Sequence, residues 1–338
     1  MAVTIYDIAE KLNISVATVN RAFSGSGRIS PKTKELVLKT AEEMGYKANR
    51  AAQSLRRNPI HIGVLLCCPA KSYLEDIERG IKAGFQNLEQ YNVFPHIKTI
   101  VGYNASDKET EVSDILSDYE RAGYSGIIIF LSGDCTPFKE QLCKIAENIP
   151  IASVANDPGC GRVVSVSGDG ACAGSLAAEL LGLCADSTKA AVLTGSRRTD
   201  IHAANLKGFA AYSAANGFSG YDIYEHYDNQ EKLKKEIDTV IKKGGCTGVY
   251  ITSSVTLPES YALKLQRNGI RVVATDLSKE NRELLRARLI TAVIFQDPFL
   301  QGKTVVKRLY DYITGGTAAD ELLLPSLIFS SDAGKFLK

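Results

Sequence analysis

Hydrophobic positions follow two different periods along the chain. In the first part, apolar side chains recur at helical spacing, as at Ile5, Ile8 and Leu12. Farther along, short apolar runs of strand length, such as Gly126–Leu131, alternate with helical stretches such as Lys108–Ala122. Alternating strands and helices are typical of parallel sheets that are covered by helices on both faces. The pattern therefore predicts an α-helical head followed by a doubly wound α/β body.

Residues typical of helix ends divide the head into three helices. Thr4 and Asp7 form a capping pair at the start of the first helix, and Asn13 ends it because asparagine tolerates the left-handed conformation. Ser15 caps the second helix, and Ser30–Pro31 opens the third. Two helices joined by a sharp turn within about 20 residues are typical of a helix-turn-helix motif.

The body contains more strands than one sheet of this kind usually holds. Ten strand-like runs lie between residues 60 and 295, which favours two similar lobes over a single sheet. Ligands of such folds bind beyond the carboxyl ends of the strands, so we expect a ligand cleft between the lobes. The expected division is a first lobe at about 60–162 plus 296–324 and a second lobe at about 163–295 plus 325–338.

The charge of the chain changes sign close to the boundary between the helical head and the α/β body. Residues 1–58 carry a net charge of +5 and the remainder carries −3, which indicates that only the head meets a polyanion. With 45% hydrophobic and 23% charged residues, the composition is that of a folded globular protein. No apolar run reaches the roughly 18 residues of a membrane span, and the first ten residues do not resemble a signal peptide. We therefore expect a cytoplasmic protein with no membrane partner.

The second head helix carries side chains suited to reading DNA. A recognition helix presents its N-terminal residues to base edges in the major groove. Arg21 can bind guanine or a phosphate, and Asn20 can bind adenine or a phosphate. Val16 and Ala17, which we expect to be exposed, offer apolar contact to thymine methyl groups. On spacing and charge alone, a small three-helix bundle with a solvated basic face remains an alternative.

Several runs together resemble the lactose-repressor (LacI/GalR) family of transcription regulators. They are Thr4–Ala9, Ser15–Arg21, Ile29–Thr33, Gly45–Tyr46 and Ala52–Arg56. The body resembles the periplasmic-binding-protein-like sensor of that family, so the resemblance covers essentially the whole chain. The implied domains are an all-α helix-turn-helix headpiece at 1–45, a hinge linker at 46–59 and a two-lobed effector-binding domain at 60–338.

The resemblance implies a homodimer that binds a palindromic double-stranded DNA operator. The hinge is implied to become helical in the minor groove, where paired Leu55 side chains wedge open the central base step. Asn20 stands where the family commonly has serine, so we expect the operator preference to differ there. The implied DNA-binding residues are Thr4, Ser15, Val16, Ala17, Thr18, Asn20, Arg21, Ser30, Lys32, Thr33, Asn49, Ala52 and Leu55.

The family pattern also implies a ligand site for a sugar or sugar derivative in the cleft. Tyr73 can stack on the apolar face of a sugar, and the carboxylates of Asp157 and Asp276 can each accept two adjacent hydroxyls. Asn205 stands where the family usually places a ligand-binding arginine, and asparagine lacks the fixed charge and much of the reach. The implied effector-binding residues are Ser72, Tyr73, Asp157, Asn205, Asp276 and Gln296.

The sequence offers no catalytic or cofactor-binding constellation. Gly302–Thr304 resembles the end of a P-loop, but Asp297 stands where the first glycine is required. Gly168–Gly170 resembles the start of a dinucleotide fingerprint, but Ala173 replaces the third glycine. The eight cysteines include no Cys-x-x-Cys pair, and His202 has no catalytic triad around it. We therefore expect no enzyme activity, no cofactor and no metal ion.

These patterns predict a sequence-specific transcriptional repressor that is released from its operator by a small-molecule effector. Two alternatives stay open. Asn205 leaves room for an architectural or effector-independent DNA-binding protein with a non-sensing body. A solute-binding protein could use the same two-lobed body, but it would not need the basic head and hinge. No leucine heptad follows Leu324, so we expect no tetramer formed through the tail.

Overall fold

The computed structural model describes residues 3–24, 29–44, 46, 58–159, 161–184, 189–218 and 220–330. These residues form two compact units, a head that contains the N-terminal helices and a much larger body. Residues 47–57 of the expected hinge, with Asn49, Ala52 and Leu55, lie outside the described residues. The run Gly25–Gly27, whose composition predicts a turn after the second helix, lies outside them as well.

The head consists of the three expected helices. They are α1 (Ile5–Leu12), α2 (Val16–Ser24) and α3 (Pro31–Glu43). Thr4 and Asp7 form a complete capping box on α1, and Asn13 ends the helix in the left-handed conformation with a φ of 51°. The hydroxyls of Ser15 and Ser30 accept hydrogen bonds of 3.1 Å from backbone N–H groups in the first turns of α2 and α3. The caps predicted from the sequence are therefore confirmed.

The core of the head takes one branched side chain from each helix. Ile8, Val19 and Val37 are fully buried at its centre. Ala9 and Ala22 are nearly as buried, and their small side chains allow the helices to cross closely. A core of this size holds the second helix against the other two and leaves its opposite face in solvent.

The described part of the body contains two six-stranded sheets. Their strands are β1 (Ile60–Cys68), β2 (Val93–Val101), β3 (Gly126–Leu131), β4 (Ile151–Val154), β5 (Val164–Gly168), β6 (Lys189–Thr194), β7 (Gly220–Glu225), β8 (Gly248–Ile251), β9 (Arg271–Thr275), β10 (Ala292–Phe295), β11 (Glu321–Leu323) and β12 (Ser326–Ile328). The first sheet has the order β11-β5-β4-β3-β1-β2 and the second β12-β10-β9-β8-β6-β7. Neighbouring strands are parallel except β12, which is antiparallel to β10.

Helices lie between the strands along the chain. They are α4 (Lys71–Gln86), α5 (Glu109–Ala122), α6 (Lys139–Ala146), α7 (Gly170–Leu183), α8 (Asp200–Ala215), α9 (Gln230–Lys243), α10 (Glu259–Arg267), α11 (Lys279–Arg286) and α12 (Pro298–Ile313). In the first sheet, alternate residues of β3 pack toward opposite sides: Ile127 joins a cluster with Val112 of α5, whereas Gly126 lies against Leu309 of α12. Helices therefore cover both faces, as the doubly wound prediction requires.

The division between the lobes differs from the expected one. We placed residues from 163 onward in the second lobe, but β5 pairs with β4 and β11 inside the first sheet. The first crossing between lobes therefore follows Gly168, not residue 162. The reason is that a strand as short as β5 carries no mark of which sheet it joins, because both sheets have the same apolar pattern.

Two further crossings connect the lobes. The chain returns to the first lobe between β10 and α12, and it crosses again between β11 and β12. Neither β11 nor β12 was predicted as a strand. Each has only three residues, and sequence patterns of that length do not distinguish a strand from a loop.

Each lobe contains a pair of helices whose backbones touch through glycine. In the first lobe, a Cβ atom added to Gly80 of α4 would lie 2.0 Å from the carbonyl oxygen of Phe299 in α12. In the second lobe, a Cβ atom added to Gly174 of α7 would lie 1.9 Å from the carbonyl oxygen of Asn205 in α8. The partner helices carry Gly302 and Gly208 at the same crossings. Gly302 of the false P-loop therefore has a packing role.

Candidate functional site

The face of α2 that we expect to read DNA is largely open to solvent. Ala17 and Arg21 are exposed, and Asn20 is half-buried. Val16 is also half-buried because its branched side chain packs against the core of the head, which corrects the expectation that it is exposed. The solvent-facing side of α2 therefore presents the Arg21 guanidinium and the Asn20 amide next to the apolar side chains of Val16 and Ala17.

Hydroxyl groups gather at the N-termini of α2 and α3. The side-chain oxygens of Ser15 and Thr18 lie 2.9 Å apart, and those of Ser30 and Thr33 lie 2.7 Å apart. Lys32 is exposed in the first turn of α3. Free backbone N–H groups and the helix dipole favour anions at such ends, so both can accept a phosphate.

A cleft lies between the two lobes of the body, at the carboxyl ends of the strands of both sheets. The cavity volume is about 60 Å³, which is several times the volume that one ordered water needs. The first lobe contributes Cys68, Pro69, Ala70, Tyr73, Phe130, Ser132, Ala155 and Asn156. The second sheet and its loops contribute Thr199, Ile201, His202, Asp228, Thr252, Ser253, Ser254, Asp276 and Gln296.

Tyr73 and Phe130 form the aromatic wall of the cleft. Tyr73 lies in the first turn of α4, and its ring meets Phe130 edge-on with 5.8 Å between the ring centroids. The Tyr73 hydroxyl donates to Gln301 Oε1 at 3.4 Å. Burial raises the pKa of Tyr73 well above its usual value, so this side chain is a neutral apolar surface with one polar tip.

Asp276 lies opposite this wall, directly after β9. Its φ of 60° is left-handed, a conformation that aspartate tolerates better than most residues. Its carboxyl oxygens accept hydrogen bonds from the Ser254 hydroxyl and, at 3.2 Å, from the backbone N–H of Gln296. Burial raises the pKa of Asp276 to about 7, which the two hydrogen bonds only partly oppose. The carboxyl therefore exchanges its proton near neutral pH.

A second polar group in the cleft is formed by His202 and Asp228, and the fully buried His226 accepts a hydrogen bond from the backbone N–H of Asp228. His202 Nδ1 lies 2.9 Å from the Thr252 hydroxyl, and His202 Nε2 lies 3.7 Å from Asp228 Oδ1. Burial lowers the pKa of His226 to about 4. Burial also acts to raise the pKa of Asp228, but His202, His226 and the Ser253 hydroxyl together outweigh it and hold that pKa below its usual range. Asp228 is therefore ionised at neutral pH.

Three residues that line the cleft carry a buried oxygen with no hydrogen-bond partner. They are Asn156 through Oδ1, Thr199 through Oγ1 and Asp228 through Oδ1. The amide nitrogen of Asn156 donates to the carbonyl oxygen of Leu131 at 2.7 Å, which fixes the orientation of the side chain. Buried polar atoms are nearly always paired in folded proteins, so unpaired ones around a cavity indicate a site for a polar ligand.

The mouth of the cleft carries paired charges. Arg198 NH1 lies 3.1 Å from Asp134 Oδ2, so this ion pair joins a loop of the second lobe to a loop of the first. Arg197 Nε lies 3.1 Å from Glu225 Oε2. The arginines of this loop therefore remain at the rim, each with a carboxylate beside it.

Two family models match the chain. The model described as bacterial regulatory proteins, lacI family, matches residues 4–49. The model described as periplasmic binding protein domain matches residues 62–317, most of the body. The chain belongs to the lacI family of bacterial regulatory proteins. The headpiece and body that the family resemblance predicted are thus confirmed.

Relatives and solved structures agree with this assignment. The chain is 26% identical to catabolite control protein A of Priestia megaterium over 66% of this chain and 65% of the relative. It is 26% identical to catabolite control protein A of Staphylococcus aureus over 49% of this chain and 48% of the relative, so the chain spans less than two thirds of the length of these relatives.

Two solved structures illustrate the shared fold. The glucose-galactose binding protein GanP of Geobacillus stearothermophilus aligns at a TM-score of 0.70 and 21% identity, over 82% of this chain and 99% of GanP. The lac repressor bound to ONPG aligns at a TM-score of 0.64 and 21% identity, over 97% of this chain and 98% of the repressor. The second alignment therefore covers nearly the whole chain, and the first about four fifths of it.

The structure brings three of the six expected effector-binding residues of this LacI-family chain to the cleft, namely Tyr73, Asp276 and Gln296. Ser72 is half-buried outside the lining, one position before Tyr73 on the helix. Asp157 pairs with Arg162, whose Nε donates to its Oδ2 at 2.8 Å, and it is not among the residues that line the cleft. A role of Ser72 and Asp157 in ligand binding therefore stays a prediction.

Asn205 also lies outside the lining of the cleft. It is fully buried where α8 crosses α7, and its amide nitrogen donates to the carbonyl oxygen of Ile201 at 2.7 Å. Its amide oxygen accepts from the Tyr250 hydroxyl. In this LacI-family member, the position usually held by a ligand-binding arginine is therefore part of the helix packing.

Several residues of the cleft were missed from the sequence. Asn156, Asp228 and the run Thr252–Ser254 all line it, and each follows the carboxyl end of a strand by one to three residues. That position was the available signal, because ligand sites of this fold gather there. In the described part of the chain, no three His, Cys, Asp or Glu side chains are grouped as a metal site. Among those residues no helix is both long and apolar enough to cross a membrane.

Proposed function

We propose that this chain is a sequence-specific transcriptional repressor that acts in the bacterial cytoplasm and is controlled by a small-molecule effector. It binds a palindromic operator as a homodimer, and the effector is a sugar or sugar derivative that releases it from DNA. The observation that carries the proposal is the joining, in one chain, of a helix-turn-helix head and a body with a polar cleft between two lobes. No catalytic step is part of this function.

The head supports DNA binding through the exposed end of α2 and the hydroxyl-rich helix starts. Arg21 and Asn20 take the base-reading role, with Ser15, Thr18, Ser30, Lys32 and Thr33 on the phosphates. One recognition helix gives a small footprint, so two copies on two half-sites are the usual solution. A related fold, the lac repressor dimer, is described as bound to operator and the anti-inducer ONPF.

The cleft supports control by a ligand. Tyr73 provides an apolar surface for a sugar ring, and Asp276 and Gln296 provide acceptors for hydroxyls. The protein GanP, which shares the fold, is described as a glucose-galactose binding protein. A ligand can change DNA affinity only by binding one conformation of the body more tightly than another.

Selection from a random DNA pool with the full-length protein tests the DNA-binding part of the proposal. We expect an enriched palindrome and a loss of at least tenfold in affinity for it with Arg21→Ala, at fixed salt. Leu55→Ala, in the hinge outside the described residues, is expected to weaken binding as well. The matched control is Arg267→Ala, which removes an exposed arginine of the body and leaves affinity unchanged. Weak binding without sequence preference would contradict the proposal.

A further inference from the structure

The lining of the cleft is rich in hydrogen-bond acceptors and poor in cations. Among the described residues it contains the carboxyl groups of Asp228 and Asp276 and the amides of Asn156 and Gln296, but no lysine or arginine. Carboxylates and phosphates are typically bound by arginine or lysine, which pair with their oxygens. Such a lining opposes a negatively charged ligand, because placing the ligand's charge beside the ionised carboxylate of Asp228 is unfavourable in a buried site.

The unpartnered oxygens specify what the ligand must supply. Asn156 Oδ1 and Asp228 Oδ1 are both buried without a hydrogen-bond partner, one in each lobe. An amide oxygen and an ionised carboxylate accept hydrogen bonds and cannot donate them. Asp228 Oδ1 lies 3.7 Å from His202 Nε2, too far for a hydrogen bond. A ligand with donors on two sides would satisfy both lobes at once.

The cations at the mouth each already have a partner, and Lys232 lies over the ring of Tyr227 with its Nζ 4.5 Å from the ring centroid. Arg197 pairs with Glu225 and Arg198 with Asp134, so each guanidinium already faces a carboxylate. The start of α8 next to Thr199 carries its own acid, Asp200, in the first turn. The start of α4 at Ala70 carries no acid in its first turn and is the one described helix start in the lining that favours an anion.

We propose that the cleft binds a ligand that carries hydrogen-bond donors and no negative charge, an uncharged polyol or an amino sugar, and that it rejects sugar acids and sugar phosphates. Asn156 and Asp228 accept the donors of this ligand, and Tyr73 contacts its apolar face. This inference rests on the proposed sensor function and narrows its ligand class. The amino group of an amino sugar and the hydroxyl groups of a polyol act in the same way here, because both donate hydrogen bonds to Asn156 and Asp228.

Calorimetric titration of the full-length protein with matched sugars tests the inference. The probes are D-glucose, D-galactose and myo-inositol, the amines glucosamine and galactosamine, the acids glucuronate and galacturonate, and the 6-phosphates of glucose and galactose. We expect at least one uncharged or amino probe to bind, and each acid and phosphate to bind at least tenfold more weakly than its parent. An acid or phosphate that binds as tightly as its parent would overturn the inference, and it would direct attention to the start of α4.

The variant Asp228→Asn separates charge from shape. Asparagine tolerates the left-handed φ of 55° at this position, so the backbone is preserved. We expect the preference for the amino sugar over its matched sugar acid to fall at least tenfold. This ratio of affinities does not change when part of the sample is unfolded, so a stability defect cannot imitate the effect. Asp114→Asn, at an exposed position of α5, is the matched control and leaves the ratio unchanged.

The outcome is distinguishable from failure of the proposed function. DNA affinity is measured in parallel without any sugar, on the palindrome from the selected pool. If the protein binds the palindrome and no probe binds the cleft, the ligand inference is overturned while the DNA-binding function stands. If the protein does not bind the palindrome but binds an uncharged or amino probe, the inference about the cleft stands and the regulatory function fails.

Discussion

The two lobes of the body are built alike but supply different chemistry to the cleft. Each has a six-stranded sheet. Each also has two helices whose backbones come into close contact at a glycine, Gly80 in the first lobe and Gly174 in the second. The first lobe presents the aromatic wall of Tyr73 and Phe130. The second lobe presents both carboxyl groups and the histidine.

This difference shows that equal architecture does not impose equal roles. The shape of each lobe follows from its apolar strands and its glycine crossing, which leave the residues after the strand ends free to vary. In the first lobe most of these positions hold small or aromatic residues, and in the second they hold polar ones. A ligand with one apolar face and one polar face would therefore contact both lobes in a single orientation.

The largest expected effect concerns the two groups of the second lobe that burial shifts in opposite directions. Folded Asp276 holds a proton up to a pKa of about 7, whereas its ordinary pKa is 3.8. Its contribution to the free energy of unfolding is full at low pH and is lost as pH rises from about 4 to 7. Asp276→Asn should remove this slope, changing the free energy by about 4 kcal/mol at most across the window.

His226 supplies the opposite slope and serves as the comparison. Its pKa falls from 6.5 to about 4 on folding, so its contribution is full above pH 6.5 and is lost as pH falls toward 4. His226→Asn should remove a slope of about 3 kcal/mol with the opposite sign. Urea unfolding of both variants and the unmodified protein between pH 4 and 7.5 measures both. Slopes of the same sign in the two difference curves would contradict the burial argument.

Next in size are the glycine crossings, which test whether the two lobes are equally constrained. Gly80→Ala and Gly174→Ala each place a Cβ atom about 2 Å from a backbone oxygen, so the helices must separate. We expect each to lower the free energy of unfolding by about 3 kcal/mol. Gly182→Ala in α7 is the matched control, because its Cβ would meet the ring of Phe218 at a tolerable 3.1 Å. Equal stability of all three variants would refute the close-packing account.

Two tyrosines, Tyr73 half-buried and Tyr250 fully buried, give a smaller and more selective comparison. Tyr73 donates to Gln301 in the first lobe, and Tyr250 donates to Asn205 in the second. Tyr73→Phe should cost about 1 kcal/mol of stability and Tyr250→Phe about 2, because Asn205 is fully buried and its oxygen is left unpaired. Only Tyr73→Phe should alter the affinity for a sugar, since Tyr250 does not line the cleft. Thermal unfolding measures the predicted changes in stability, and calorimetric titration measures the predicted change in sugar affinity.

The smallest expected effect belongs to the ion pair that joins the two lobes. Arg198 is largely exposed at its side chain, and exposed ion pairs contribute less than about 1 kcal/mol. Arg198→Gln should therefore change the free energy of unfolding by less than about 0.5 kcal/mol. Sugar affinity should fall about twofold at low salt and not at all at 1 M salt, where charges are screened. A loss that persists at high salt would show that Arg198 contacts the ligand directly.

The sequence predicted the head more completely than the cleft. The helix caps at Thr4, Ser15 and Ser30 depend on residues three positions apart, so local pattern is sufficient to find them. The cleft depends on which strand ends meet across two sheets. Asp157 and Asn205 were assigned to it because they resemble ligand residues by position, but their contacts with Arg162 and Tyr250 are ones that no local pattern reveals.

The short strands β11 and β12 constrain when the two lobes can finish folding. β11 borders β5 in the first sheet and β12 borders β10 in the second, yet both follow all the other strands of the described residues. A growing chain on the ribosome therefore lacks an edge strand of the first lobe until residue 323 has been added, and an edge strand of the second until residue 328. Neither lobe can be completed before the other is almost entirely made, so the two halves of the sensor reach their final fold together.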